Sequence, residues 1–325
     1  MTEIRNDRLV TIFGGSGFVG RYLVRQLAKR GWRIRAAVRR PDLAGHLQPL
    51  GSVGQIKAVQ ANVRYRDSID TAIHGADAVV NLVGILAQSG KQSFSAVQAY
   101  GSGQIAESAK EHGLDRIVQI SALGADPDSE SSYARSKAEG EAAVLETLPD
   151  SVIFRPSILF GPEDDFFNRF GQMSRISPVL PIVGPDTRFQ PTFVGDVAEA
   201  IALAVEGGAR PGTIYELGGP EVRTFRELMK LMLEEVDRPD KPIVAIPFGL
   251  AEFQAKMMSI LPKPPLTPDQ VRLLKTDNVV SPEAEAEGRT YAGLGINPDT
   301  LAAVLPTYLW RFRPSGEFDR QNVPG

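Results

Sequence analysis

Tyr133 and Lys137 stand four residues apart in Tyr133-Ala134-Arg135-Ser136-Lys137-Ala138-Glu139, a spacing that puts both on one face of a helix. An ammonium beside a phenol stabilises the phenolate and lowers the phenol's pKa, so Tyr133 could exchange a proton with a carbonyl or an alcohol. Ser121, at the end of the preceding strand, could hold the substrate oxygen; Ser131 and Ser132 are rivals for that role. Tyrosine and lysine four apart also occur by chance in many helices. The surroundings make this pair more specific: a glycine-rich turn near the N-terminus, and Arg155-Pro156-Ser157-Ile158-Leu159-Phe160-Gly161-Pro162 after it.

The turn is Gly14-Gly15-Ser16-Gly17-Phe18-Val19-Gly20, between an apolar strand, Leu9-Val10-Thr11-Ile12-Phe13, and a helix carrying Phe18, Val19, Tyr22, Leu23 and Leu27 at helical spacing. Gly14 can take the positive φ of a strand-to-helix reversal, Gly17 lets the backbone approach a phosphate, and Gly20 lets the helix lie against the sheet. The N–H groups of the helix start then point at an anion. An ordinary tight turn is the plainer account of glycines alone; the strand-turn-helix context favours a dinucleotide. A G-x-x-x-x-G-K-S/T phosphate loop is excluded, because Arg21 and Tyr22 follow Gly20.

An NAD-binding unit carries an acid about twenty residues further on. Here the second strand, Arg33 to Val38, delivers Arg39 and Arg40. A carboxylate there accepts hydrogen bonds from a free ribose 2′-hydroxyl, whereas a guanidinium suits a 2′-phosphate, so the expected cofactor is NADPH (or NADP+). Arg40, beside Pro41, is the better candidate for a mere surface charge.

Downstream, Ile56–Gln60, Ala78–Val83, Arg116–Ser121 and Val152–Arg155 read as strands, separated by helices near Asp67–His74, Phe94–His112 and Tyr133–Leu148. The alternation predicts an α/β fold with a Rossmann-type, doubly wound parallel sheet. Ligands in that architecture sit at the strand ends, which brings in Asn62-Val63 and Leu82-Val83-Gly84. Asn62 could pair with an adenine edge or simply form a turn. The chain of 325 residues has room for two domains: 1–160 as the nucleotide-binding domain, with a strand and helix returning from 190–217, and 161–325 as a smaller C-terminal α/β domain with a docking tail.

A net charge of -3 gives no general attraction to nucleic acid. Absence of cysteine excludes disulfides and thiolate-ligated metals, and His46, His74 and His112 form no ligand spacing, so no metal is expected. Met1 to Arg8 shows no secretory signal, and no stretch approaches the roughly 18 apolar residues that span a bilayer.

From Leu9 to about Gly219 the chain resembles the extended and atypical short-chain dehydrogenase/reductase superfamily, on its glycine turn, its Ser/Tyr/Lys set and its R-P-x-x-x-Y/F-G-P segment. The resemblance implies that Tyr133 and Lys137 also hold the nicotinamide ribose and that Pro156, Ser157 and Ile158 line the nicotinamide side. It makes Pro191–Ala198 the crossing into the smaller domain, with a helix continuing to Val205, and Thr213–Leu217 a late strand returning to that domain. Ser121 lies 12 residues before Tyr133, closer than in many extended members.

Thr224-Phe225-Arg226-Glu227 and Thr267-Pro268-Asp269-Gln270 are capping boxes that open helices. Leu250, Phe253, Met257, Ile260 and Leu261 form an apolar stripe, read as core or as a docking face for a protein or membrane. Asn297-Pro298 signals another helix start, Glu163-Asp164-Asp165 a solvated helix N-cap region, and Tyr308–Pro314 either an anchored tail or a segment packed on its own domain. Pro247 through Val271, Thr276–Val280 and Tyr291–Ile296 resemble the NAD(P)-binding accessory subunits of respiratory complex I in their bacterial form. That resemblance implies a peripheral-arm subunit at the cytoplasmic face of the bacterial inner membrane, contacting other complex I subunits and the membrane surface, with NADPH held structurally. The alternative is an active NADP(H)-dependent reductase, epimerase or dehydratase acting on a small carbonyl or an isoprenoid or quinone-related substrate.

Overall fold

The computed structural model describes residues 7–88, 90, 92–258, 266–314 and 316. The chain divides into two compact units, the first of Met1–Pro156, Val194–Leu217 and Ser281–Ile296, the second of Ser157–Phe193, Gly218–Val280 and Asn297–Gly325. The first unit opens with β1 (Leu9–Phe13), α1 (Phe18–Lys29), β2 (Arg33–Val38), β3 (Ile56–Gln60), α2 (Arg66–Ile73), β4 (Ala78–Asn81), α3 (Tyr100–Glu111), β5 (Val118–Ile120), α4 (Ser132–Thr147) and β6 (Val152–Pro156). The chain then builds β7 (Leu159–Phe160), α5 (Phe167–Ile176), β8 (Leu180–Val183), β9 (Arg188–Phe189) and β10 (Thr192–Phe193) in the second unit, and returns to the first for α6 (Val194–Val205) and β11 (Ile214–Leu217). The second unit continues with β12 (Arg223–Thr224), α7 (Phe225–Glu235), β13 (Ile243–Ile246), α8 (Phe248–Met258) and α9 (Pro268–Leu273). Last come α10 (Pro282–Ala286), in the first unit, then α11 (Leu301–Val304) and α12 (Pro306–Leu309), in the second.

In the first unit seven strands, all parallel, run in the order β11-β6-β5-β4-β1-β2-β3, reversing direction of travel between β1 and β4. Such a sheet is covered on both faces, which is why β1 and β2 are buried through most of their length. On one face Phe13, Ile69, Ile73, Val79, Ile105, Ile117, Val144 and Leu148 pack together. On the other α6, apolar nearly all round and buried to match, lies against α1, where Arg30 pairs with both Glu199 and Glu206.

Ile214–Leu217 pairs with β6 as the outer strand of this sheet, in line with a strand returning from 190–217 to the nucleotide-binding domain and against the resemblance's reading of it as a strand of the smaller one. Ser281–Ile296 also belongs here and not to a C-terminal domain. Glu216 N–H donates to Arg289 O (2.8 Å), Ser281 N–H donates to Glu216 Oε2 (2.7 Å), and an Arg289 guanidinium N–H donates to Ile214 O (2.9 Å), so the segment covers the far edge of β11.

The second unit is built on Phe160, Phe167, Leu180, Phe189, Phe225, Leu228, Met232, Leu305, Leu309 and Phe312. Both capping boxes form, at Thr224/Glu227 and Thr267/Gln270. The last helical pair is capped by Thr300, not opened by Asn297-Pro298. Tyr308 to Phe312 is part of this core, so the tail packs on its own unit. Asp164 is buried, against the expectation of a solvated loop, because Tyr308 OH donates to its Oδ2 (2.6 Å) and the Gly161 and Asn168 amides donate to it as well.

Candidate nucleotide and catalytic site

Gly14 ends β1 with φ +81°, and its N–H donates to Ala37 O of β2 (3.0 Å), so the chain leaves the sheet at a fixed point. Gly17 caps α1 with no side-chain bond, and the first turn carries no acid, which leaves a positive helix end facing the strand ends. A Cβ on Gly20 would stand 2.5 Å from the carbonyl oxygens of both Gly14 and Gly15, so only glycine lets the helix start this close to the turn. Gly15 packs its Cα side against Ala36, and Phe18 lies edge-on to Tyr22; with Val19 they shape the helix start.

A cavity of about 240 Å³ opens over the carboxyl ends of β1 to β4. That is below the roughly 300 Å³ at which sites for whole small ligands begin, and suits one nucleotide half of a dinucleotide. Gly14, Ser16, Gly17, Arg39, Asn62, Val63, Leu82, Val83 and Gly84 of the expected set line it. Arg40 does not. Its guanidinium lies in solvent, paired with Asp42 (2.7 Å), whose hydrogen bond holds the arginine's pKa above the ordinary value. The Asn62 side-chain oxygen Oδ1 accepts from Arg64 N–H (3.2 Å), which commits that atom to the turn after β3.

Two polar lining residues, Arg64 and Gln92, are absent from the set expected from sequence. Arg64 is the second cation of the wall, signalled only by its place just past β3 on the edge that ligands use. Gln92 accepts a hydrogen bond from Arg39 through Oε1 across 53 residues of sequence, for which no local signal exists. Among the described residues no aspartate or glutamate lines the cavity, whereas two arginines, Arg39 and Arg64, do.

The proton-transfer set lies at the ends of β4 and β5. Lys137 Nζ reaches Ile120 O (3.4 Å), and a Cβ on Gly84 would meet the same Nζ at 3.3 Å. Lys137 Nζ stands 5.9 Å from the centroid of the Tyr133 ring, which Phe94 meets edge-on at 5.7 Å. Ser121 N–H donates to Phe154 O, while its buried Oγ has no partner among the described residues, an orphan that suits a ligand oxygen. Ser131 is taken up as the N-cap of α4, accepting from Ala134 N–H, and Ser132 is the helix's first residue. The expected helix Phe94–His112 begins instead with a π-helical turn, Ser95–Ala99, a distortion common near functional sites. From it Gln98 donates to Ile85 O (2.7 Å) and accepts from Ser136 Oγ (2.8 Å), joining the cavity wall to the face of α4.

Electrostatically the set departs from expectation. Tyr133 keeps some accessible surface but is so crowded by neighbouring atoms that desolvation pushes its phenol up to about 12, not down. Desolvation likewise lowers Lys137 to about 8, opposed by Glu141, so the ammonium is itself too costly to stabilise a phenolate strongly. As it stands the pair is a proton donor at neutral pH. Pro156 closes β6, and Arg155 before it is held by Glu141 in a two-pronged ion pair (2.9 and 2.5 Å). Ser157 and Ile158 fall in the second unit, where Ser157 Oγ donates to the backbone and side-chain oxygens of Asn278 and Ile158 packs on the core.

The sheet order, the glycine cradle and the Ser/Tyr/Lys set define a Rossmann-type site for a nicotinamide dinucleotide in a short-chain dehydrogenase/reductase framework. A family described as NAD(P)H-binding matches residues 14–165, and one described as the RmlD substrate binding domain matches 124–257. The dTDP-glucose 4,6-dehydratase of Streptomyces venezuelae, solved with NAD, superposes with a TM-score of 0.70 at 20% identity over 94% of this chain and 96% of that one. The NADPH-dependent quinone oxidoreductase of Escherichia coli, solved with NADPH, gives 0.70 at 19% over 92% and 98%. NADH dehydrogenase (ubiquinone) 1 alpha subcomplex subunit 9 of Arabidopsis thaliana, a mitochondrial protein, is 36% identical over 321 residues, 95% of this chain and 79% of its own length. The chain belongs to the family of that subunit, within the extended short-chain dehydrogenase/reductase superfamily.

Proposed function

We propose that this chain is an accessory subunit of a respiratory NADH:ubiquinone oxidoreductase that holds NADPH for stability and not for turnover. The observation that carries the reading is a 36% identity to a subunit of such an enzyme that runs through 95% of the chain, including the C-terminal segments beyond the nucleotide-binding unit. The choice of NADPH over NADH is supported by a wall with Arg39 and Arg64 and no carboxylate among the described residues, which favours a 2′-phosphate. Tyr133, whose phenol holds its proton up to about 12, is a poor base at neutral pH, which counts against alcohol oxidation at this site. Bound nucleotide adds stability by linkage, about 4 kcal/mol at a thousandfold excess over Kd. No helix among the described residues is long and apolar enough to cross a membrane. Attachment to a partner at the peripheral arm beside the membrane is supported by the exposed Leu250, Phe253 and Met257 of α8, while its placement at the cytoplasmic face of a bacterial inner membrane rests on the resemblance to the bacterial form of the subunit.

One observation favours the second reading, an NADP(H)-dependent reductase, epimerase or dehydratase acting on a small carbonyl or an isoprenoid or quinone-related molecule: the buried Ser121 Oγ, without a partner among the described residues, in a complete Ser/Tyr/Lys set. Purification from native membranes separates the two. The first expects co-migration with NADH:ubiquinone oxidoreductase, release of NADPH on denaturation, and a Tyr133→Phe protein that still assembles. A free protein that oxidises NADPH against a carbonyl panel and loses this in Tyr133→Phe overturns the first reading. Arg39→Glu should weaken NADPH retention about tenfold or more under both.

A further inference from the structure

We infer that Gln92 is a specificity-determining residue of the nucleotide site, its carboxamide serving with Arg39 as a ligand of a 2′-phosphate; this rests on the NADPH reading above. Gln92 comes from the connection between β4 and α3, far in sequence from the glycine turn and from β2, yet it forms part of the same cavity wall. An Arg39 guanidinium N–H donates to its Oε1. Because a guanidinium is donor-only, the carboxamide must present oxygen to it, and its NH₂ group is turned elsewhere with both N–H donors unused among the described residues.

That arrangement has two consequences for charge. A neutral amide orients Arg39 without cancelling its positive charge, so the guanidinium stays able to bind a dianion. The amide then adds N–H donors of its own next to that charge. A glutamate of the same shape would do the opposite, forming an ion pair with Arg39 and repelling phosphate. No acid among the described residues lines the cavity to play that part, and Arg64 is a second cationic residue of the wall. The chain thus has a guanidinium, that of Arg39, where NADH-selective chemistry would place an anion near the ribose, and a neutral acceptor beside it.

The test uses the full chain freed of nucleotide, with Gln92→Ala and Gln92→Glu, and calorimetric titration with NADPH, NADH, 2′-AMP and 5′-AMP. Melting curves with NADH present check that each variant is folded. The expected result is an NADPH affinity about threefold lower in Gln92→Ala and about thirtyfold lower in Gln92→Glu, with NADH changed less than about twofold and 2′-AMP following NADPH. If both variants keep the parent NADPH-to-NADH ratio while Arg39→Ala lowers it, Gln92 is no ligand and the inference fails, with the NADPH reading intact. If the parent itself shows no preference for NADPH and Arg39→Ala changes nothing, the NADPH reading fails and takes this inference with it.

Discussion

Lys137 is a cation held where water is scarce, and its cost depends on pH. The folded protein binds its proton with a pKa of about 8 against 10.5 in the unfolded chain, so between those values the unfolded state holds more protons and stability rises with pH. Below about 8 both states are charged and the penalty is present in full, about 3 kcal/mol at roughly 1.4 kcal/mol per unit. Lys137→Met should therefore be more stable than the parent at pH 7, and urea melts should show that advantage shrinking from pH 8 to 10. An advantage that stays flat across this range would mean that Lys137 is not desolvated. Gly20 gives a prediction of the opposite kind, since its neighbours are backbone oxygens that cannot swing away. Gly20→Ala must open the turn, at a cost of about 2–3 kcal/mol and with loss of nucleotide retention, read by thermal melting and by nucleotide released on denaturation.

At the scale of elements, the second unit hangs its last helices on one carboxylate. Asp164 accepts from Tyr308 OH, from the loop amide of Gly161 and from the Asn168 amide in the first turn of α5, and burial raises its pKa against the pull of those bonds. Arg311 braces the same corner, donating to Pro162 O and Asn168 Oδ1 and lying over the rings of Tyr308 and Phe312. Asp164→Ala strands a buried hydroxyl and two amides and should cost about 3 kcal/mol or more, whereas Tyr308→Phe removes one bond and should cost about 1–2 kcal/mol. Chemical denaturation of the two variants checks the order; equal losses would show that the amides contribute nothing.

At the scale of the molecule, the residues left over by folding are as informative as the core. On α8 the small Ala251 and Ala255 face Val183 and Val271, while Leu250, Phe253 and Met257 are 49%, 63% and 59% exposed. Ile260 and Leu261 of the expected stripe lie outside the described residues; the exposed row of the other three is the surface that the proposed function assigns to docking. Leu250→Glu combined with Phe253→Glu should leave melting temperature and NADPH binding nearly unchanged, because both side chains are exposed, and should abolish co-migration with the membrane enzyme. Unaltered co-migration would remove α8 from the contact.

Sequence alone determined the local features: the strand Leu9–Phe13, the glycine cradle that follows it, the arginine where an acid would mark NAD, and the capping boxes at Thr224 and Thr267. These follow from backbone geometry and short-range hydrogen bonding within a few residues, which residue types report directly. The tertiary structure decided what depends on neighbours distant in the chain. It put Ile214–Leu217 on the edge of the large sheet, turned the bulky side of α8 outward although spacing gives both of its faces a helical period, and buried Asp164 under a tyrosine 144 residues away. It also reversed the direction in which Tyr133 titrates, because the spacing of Tyr133 and Lys137 shows that they are neighbours, whereas desolvation is a property of everything packed around them.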